Sequence, residues 1–209
     1  MYTTRASDSV SWYQSVPALS MDLIARAHGP PARVLDVGGG ASLLVDHLLR
    51  AGYTPGVLDI APEPLHLVAL RLGAAAGRVR FIVADVTQYV AAEPWDVWHD
   101  RAVFHFLTTP EDRAAYRATV LASTRPGGSV IVATFGPDGP QRCSGLPTMR
   151  YGPNQLAAEL GPGLALREHV MELHHTPSGA EQQFVYCRFA RSGAEGEPVS
   201  IPATSSAHE

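Results

Sequence analysis

Residues 34–42 read VLDVGGGAS. Branched apolar side chains flank an aspartate, and three glycines follow before a small hydroxyl residue. The apolar part predicts a short buried strand, Arg33–Val37. Gly38-Gly39-Gly40 predicts a turn, and residues 42–51 a helix closed by Gly52. A glycine-rich turn between a strand and a helix lets a ligand approach the backbone closely. The helix start aims free N–H groups into the same space. This unit predicts an open α/β sheet with a ligand crevice at the strand ends.

The same alternation recurs outward from it. Residues 15–28 carry Leu19, Leu23, Ile24 and Ala27 at helical spacing and stop at Gly29-Pro30-Pro31. Strands are predicted at 54–60, 79–84, from 96 and at 129–135, and helices at 64–72 and 111–123. Arg125-Pro126-Gly127-Gly128 predicts a turn before the fifth strand. Strands that read as continuous apolar runs between helices indicate a parallel sheet covered on both faces. After residue 150 the order changes: a helix at 153–160 precedes two late strands, 164–173 and 183–191. HHTPSGAE between them predicts an antiparallel pair at the sheet edge. The expectation is one α/β domain over residues 1–191, with about seven mostly parallel strands, helices on both faces and an antiparallel edge strand. Residues 1–30 form its N-terminal lid and helix. The tail 192–209 is rich in Gly, Pro, Ser and Ala, holds three glutamates and no arginine, and reads as disordered.

Composition narrows the chemistry. The chain has 209 residues, 45% hydrophobic and 17% charged, enough for one domain with a real core. A net charge of -4 with no basic cluster argues against nucleic acid as the main partner. Lysine is absent altogether, which excludes Schiff-base chemistry and a phosphate-loop lysine. Cys143 and Cys187 make no disulfide framework. No signal peptide and no membrane-length apolar run is visible, so a cytoplasmic protein with free thiols is expected, away from membranes. The spacing of His99, His105, His174 and His175 matches no zinc pattern, and no metal is expected.

The glycine turn distinguishes two ligand classes. A dinucleotide site wants G-x-G-x-x-G/A. Gly38 and Gly40 fit, but Leu43 holds the third position, where a branched side chain obstructs helix–strand packing. Asp36 stands two residues before Gly38, and its carboxylate would repel a pyrophosphate. It suits a cationic ligand such as a sulfonium amino acid with a free amine. Asp59 ends the second strand, where a carboxylate can accept from two ribose hydroxyls. Asp85 ends the third, where it could accept from an adenine amino group. Three acids at the ends of three consecutive strands point to one ligand.

VLDVGGGAS, VLDIAPEPL, FIVADVTQ, DVWHDRAVFHFL and RPGGSVIVATF resemble, in that order, the motifs of class I S-adenosylmethionine-dependent methyltransferases. The resemblance covers roughly residues 10–190 and implies their Rossmann-like seven-stranded sheet. It implies that Asp36, Gly38, Gly39 and Gly40 hold the methionine part of S-adenosylmethionine. It likewise implies that Asp59 and Ile60 hold the ribose side and Asp85 and the backbone of Val86 the adenine, with S-adenosylhomocysteine as product. The segment after strand four then runs past the sulfonium toward the acceptor, bringing Asp100, Arg101 and His105 to the reacting groups, with Arg101 also beside the cofactor.

HDRAVFH resembles the D-K-G-T-x-D segment of small lysine methyltransferases, and more closely that of small bacterial methyltransferases. Arg101 replaces the lysine of that segment, and His105 replaces an acid. A lysine acceptor needs an acid or an aromatic cage, so a small-molecule acceptor is the leading expectation: a thiol or chalcogen species, or an oxygen or nitrogen nucleophile. Protein lysine is the alternative, and a nicotinamide-dependent oxidoreductase a weaker one. His105 is the best base candidate, since an unperturbed histidine titrates near neutrality; it could equally be a buried structural histidine, as could His99. Asp100 and Arg101 could instead pair with each other. Trp12 and Tyr13 are expected to close over the site. The long loop at 136–151 brings Cys143 and Arg150 to the acceptor, and His174 lies near the same rim. A monomer or homodimer is expected.

Overall fold

The computed structural model describes residue 14, residues 16–176 and residues 179–193. In chain order the main elements are α1 (Ala18–Ala27), β1 (Arg33–Val37), α2 (Leu44–Arg50), β2 (Thr54–Asp59), α3 (Pro62–Leu72), β3 (Arg80–Val83), β4 (Trp95–Arg101), α4 (Pro110–Ser123), β5 (Thr124–Phe135), α5 (Pro153–Leu160), β6 (Leu164–His175) and β7 (Glu181–Arg191). The seven strands form one sheet in the order β3-β2-β1-β4-β5-β7-β6. The first five strands run parallel, and β7 runs antiparallel to both its neighbours. The two late strands therefore close one end of the sheet. The last strand takes the inner place, and β6 lies outermost.

Alternation along the central strands fills a core on each face of the sheet. Leu35, Val37, Trp98, Val130 and Val132 face one side and pack with Tyr116, Val120, Leu156 and Leu160 of α4 and α5. Val34, Val97, Ile131 and Ala133 face the other, against Leu23, Ile24, Leu44 and Leu48 of α1 and α2. A strand buried on both faces must be apolar on both, which is why RVLDV reads as a run rather than an alternation. Asp36 is the exception in that run and lies at the ligand end.

Local signals set the helix starts. Thr109 precedes α4, and its side chain accepts from the Asp112 N–H at 3.1 Å. Pro110 fills the first turn, where no N–H partner is needed, and Glu111 and Asp112 complement the helix dipole. The RPGG segment before residue 129 belongs to β5, with a register shift opposite Trp95–Val97. Gly127 takes a positive φ of 72° there, so the expected turn survives as a bend inside the strand.

The topology puts the crevice in one place. From β1 the chain steps outward to β2 and β3, then returns across β1 to β4. At such a switch point the connections leave in opposite directions and open a cleft at the strand ends.

Candidate functional site at the β1/β4 switch point

A cleft of about 780 Å³ opens at this point. Asp36, Asp59 and Asp85 line it from the ends of β1, β2 and the segment after β3. Gly38, Gly39, Ala41 and Ser42 form its floor, and Ile60, Leu67 and Val86 line one side. Arg101, Ala102, Val103, Phe106, Leu107, Cys143 and Leu146 line the other.

Two of the three glycines leave no room for a side chain. Gly38 has a φ of +63°, and a Cβ built on it would collide with Val103. A Cβ on Gly39 would come within 2.6 Å of the Asp36 carboxylate. The carboxylates are held by local bonds. Asp59 accepts from the Ala61 N–H at 2.9 Å. Burial pushes its carboxyl above the usual range, while the N–H groups of Ala61, Gly40 and Ile60 pull the other way and Asp36 nearby adds to the rise. Asp85 accepts from the Thr87 N–H at 2.8 Å and the Thr87 hydroxyl at 2.7 Å.

Asp36 is more deeply embedded. Its Oδ1 lies 2.9 Å from His99 Nδ1, and its Oδ2 accepts from the Ser42 hydroxyl at 3.2 Å. His99 Nε2 lies 2.9 Å from the Ser20 hydroxyl on α1. Asp36 and His99 are register partners across β1 and β4. All of Ser20, Asp36 and His99 are buried, and all line the cleft.

Comparison with known proteins follows the same lines. Residues 34–128 match the family model described as a methyltransferase domain. A ubiquinone biosynthesis O-methyltransferase of Xanthomonas campestris is 30% identical over 111 residues, which are 53% of this chain and 46% of that protein. The chain spans about half the length of such relatives. Among solved structures, the N-methyltransferase NodS of Bradyrhizobium japonicum superposes with a TM-score of 0.67 at 16% identity, covering 83% of this chain and 93% of that one. The 1,6-didemethyltoxoflavin N1-methyltransferase of Burkholderia thailandensis gives 0.67 at 23% identity, covering 83% and 76%. Residues 34–128 are thus similar to a methyltransferase domain, and the fold is that of these solved methyltransferases.

The segment after β4 is organised from behind. Asp100 is fully buried and accepts from the Tyr116 hydroxyl at 2.7 Å and the Val103 N–H at 2.9 Å. Burial raises its carboxyl to about 6, against the pull of those donors. It does not pair with Arg101 and does not line the cleft. Its part is to fasten the turn in which Ala102 adopts a φ of 72°. Arg101 does reach the cleft. Its Nε donates to the Tyr186 hydroxyl at 2.7 Å, its guanidinium lies 4.6 Å from the Phe184 ring centroid, and Glu172 stands 3.9 Å away.

His105 corrects an expectation. Its ring is sealed from solvent and from the cleft, stacked on Phe135 at 4.3 Å and edge-on to Phe106. Among the described residues neither ring nitrogen has a hydrogen-bond partner. Burial, with the Arg101 charge beside it, pushes its pKa down to about 3. A base must reach the proton it removes, and this ring does not.

The remaining expected residues divide. Cys143 lines the cleft, at the head of a two-residue ladder with Leu146. Arg150 instead borders a separate shallow hollow with Pro137, Gln141 and Gln155. His174 is buried edge-on to Phe184 and is not part of the cleft wall. Trp12 and Tyr13 lie outside the described residues. Cys187 is buried in the core, its thiol pushed up to about 12. Among the described residues no group of His, Cys, Asp and Glu is placed to hold a metal, and no helix is long and apolar enough to cross a membrane. No local pattern in the sequence marks Ser20 or supplies His99 with a partner. No spacing rule relates residues 20, 36 and 99; only the sheet order brings them together.

Proposed function

We propose that this chain transfers the methyl group of S-adenosylmethionine to a small-molecule acceptor. The observation that carries this reading is the row of Asp36, Asp59 and Asp85 on one cleft around a turn whose Gly38 and Gly39 leave no room for a Cβ. The donor set fits the cofactor part by part. Asp36 would take the amine of the methionine portion, beside the bare backbone of Gly38 and Gly39. Asp59 would accept from the ribose hydroxyls and Asp85 from the adenine amino group. Ile60, 71% exposed at the cleft rim, offers an apolar surface to a base ring, which is a reason for such exposure in a branched side chain.

When bound, S-adenosylmethionine supplies an electrophilic methyl on a sulfonium. The protein then needs to align an acceptor and exclude water. Phe106, Leu107, Cys143 and Leu146 give the acceptor end an apolar wall, with Arg101 as its cation. Asp112 is the acid at that end, at the start of α4. With Arg101 set against Asp112, that end offers a lysine ammonium no net negative charge among the lining side chains, so a small thiol, hydroxyl or nitrogen compound is favoured over protein lysine. His105 supports the turn in this reading and holds no acceptor proton.

Thermal melting with S-adenosylmethionine, S-adenosylhomocysteine and NAD tests the cofactor. A ligand that binds only the folded form stabilises it, by about 2.7 kcal/mol at a hundredfold excess over Kd. Stabilisation by the two adenosyl ligands is expected; a response to NAD alone overturns the reading. Transfer of labelled methyl to a panel of thiols, phenols, metalloid oxyanions and protein extract then tests the acceptor. Label appearing only in protein would overturn the small-molecule assignment.

A further inference from the structure

We infer that His99, backed by Ser20, is a positioning residue that makes Asp36 selective for the amine-bearing end of the cofactor. The inference rests on the cofactor reading above and deepens it.

Three facts carry it. First, His99 Nδ1 lies 2.9 Å from Asp36 Oδ1. A ring nitrogen facing an ionised carboxylate carries a hydrogen and donates it. That bond fixes the carboxylate plane and leaves Oδ2 directed to the glycine turn, where Ser42 donates to it at 3.2 Å. Second, His99 Nε2 lies 2.9 Å from Ser20 Oγ. The ring is thereby held at both nitrogens, by β1 on one side and by α1 on the other. One hydrogen-bonded path therefore runs from α1 through β4 to β1. Third, Ser20, His99 and Asp36 are 1%, 1% and 3% exposed, yet each borders the cleft.

A histidine whose only task was to fill the core would be replaceable by leucine without selective effect. The side chain here instead orders the one carboxylate that meets the methionine end. Asp59 and Asp85 are oriented by nearby N–H and hydroxyl groups and owe nothing to His99. Losing His99 should therefore weaken recognition at one end of the ligand and spare the other. Ser20 ties the His99 ring, and through it this carboxylate, to α1.

The test is calorimetric titration of the full chain and its variants with two ligands. S-adenosylhomocysteine carries the amino-acid end; methylthioadenosine lacks it and keeps the ribose and adenine. For His99→Leu the expected result is at least a tenfold loss of affinity for S-adenosylhomocysteine and less than a twofold change for methylthioadenosine. His99→Asn keeps an N–H donor on the Asp36 side and should recover most of the loss. Ser20→Ala should show the same selectivity more weakly, a few-fold for the first ligand and none for the second; it carries the test if His99→Leu does not fold. Equal losses for both ligands, no loss for either, or no recovery with Asn would overturn the inference. A native chain that binds neither ligand overturns the cofactor reading itself.

Discussion

The Tyr116 hydroxyl donates to the Asp100 carboxylate at 2.7 Å, and neither side chain touches solvent. Trp98 Nε1 in turn donates to the Tyr116 oxygen at 3.1 Å. This chain ties α4 to the end of β4 and so to the turn that carries Arg101 and Val103 into the cleft. Tyr116→Phe removes one hydroxyl and leaves both a buried carboxylate oxygen and an indole N–H without it. An unmade bond of that kind costs roughly 1–3 kcal/mol. Urea denaturation should register a loss in that range, and binding of S-adenosylhomocysteine should weaken as the turn loosens.

His105 makes the fold acid-sensitive. Its folded pKa, about 3, lies below the unfolded value of about 6.5. Above pH 6.5 both states are neutral and the group adds no slope. As pH falls below 6.5 the unfolded chain takes up the proton first, so stability is lost progressively toward pH 3. Between pH 7 and pH 4 the loss is about 3 kcal/mol, at 1.36 kcal/mol per pH unit of differential binding. Asp100 acts in the opposite direction. Its folded pKa of about 6 lies above the unfolded value, so it returns stability as pH falls from about 6 to 4. His105→Leu removes the first effect and keeps the second. Denaturant midpoints at pH 7 and pH 4 should show the variant losing about 3 kcal/mol less than the parent on acidification.

Gly38→Ala combines a left-handed φ with a collision against Val103. Such strain costs on the order of 1–3 kcal/mol, and relief requires Val103 to move, which reshapes the cleft wall. A lowered melting temperature together with lost stabilisation by S-adenosylhomocysteine is expected.

Asp59→Asn separates binding from folding. The amide oxygen can still accept from the Ala61 N–H, and the charge that burial disfavours is gone. Stability should hold or rise, while affinity for S-adenosylhomocysteine falls by about tenfold or more, since a charge-assisted bond is roughly twice as strong as a neutral one. Calorimetry and thermal melting on one preparation check both halves.

Arg150 and Cys143 provide a contrast within one loop. Cys143 borders the cleft, and Arg150 borders the outer hollow. Once an acceptor is known, Cys143→Leu should raise its KM severalfold, and Arg150→Ala should leave kcat and KM unchanged. A KM effect at Arg150 would place the acceptor elsewhere.

What the sequence by itself determined is the local physics. VLDVGGGAS carried the strand, the turn and the acid because each follows from side chains a few residues apart: branched apolar residues, glycines that alone tolerate the turn, and a polar group at the strand end. The alternation of strands and helices, and with it the positions of Asp36, Asp59 and Asp85, came from the same short-range rules. The tertiary structure decided which polar groups face the ligand. His99 and His105 sit six residues apart in one apolar stretch, and no local pattern separates them. Sheet order brings His99 beside Asp36 and under Ser20, where it is paired. The turn fastened by Asp100 carries His105 back into an aromatic cluster, where burial strips it of its proton. Pairing and desolvation depend on what lies across space, and only the folded chain specifies that.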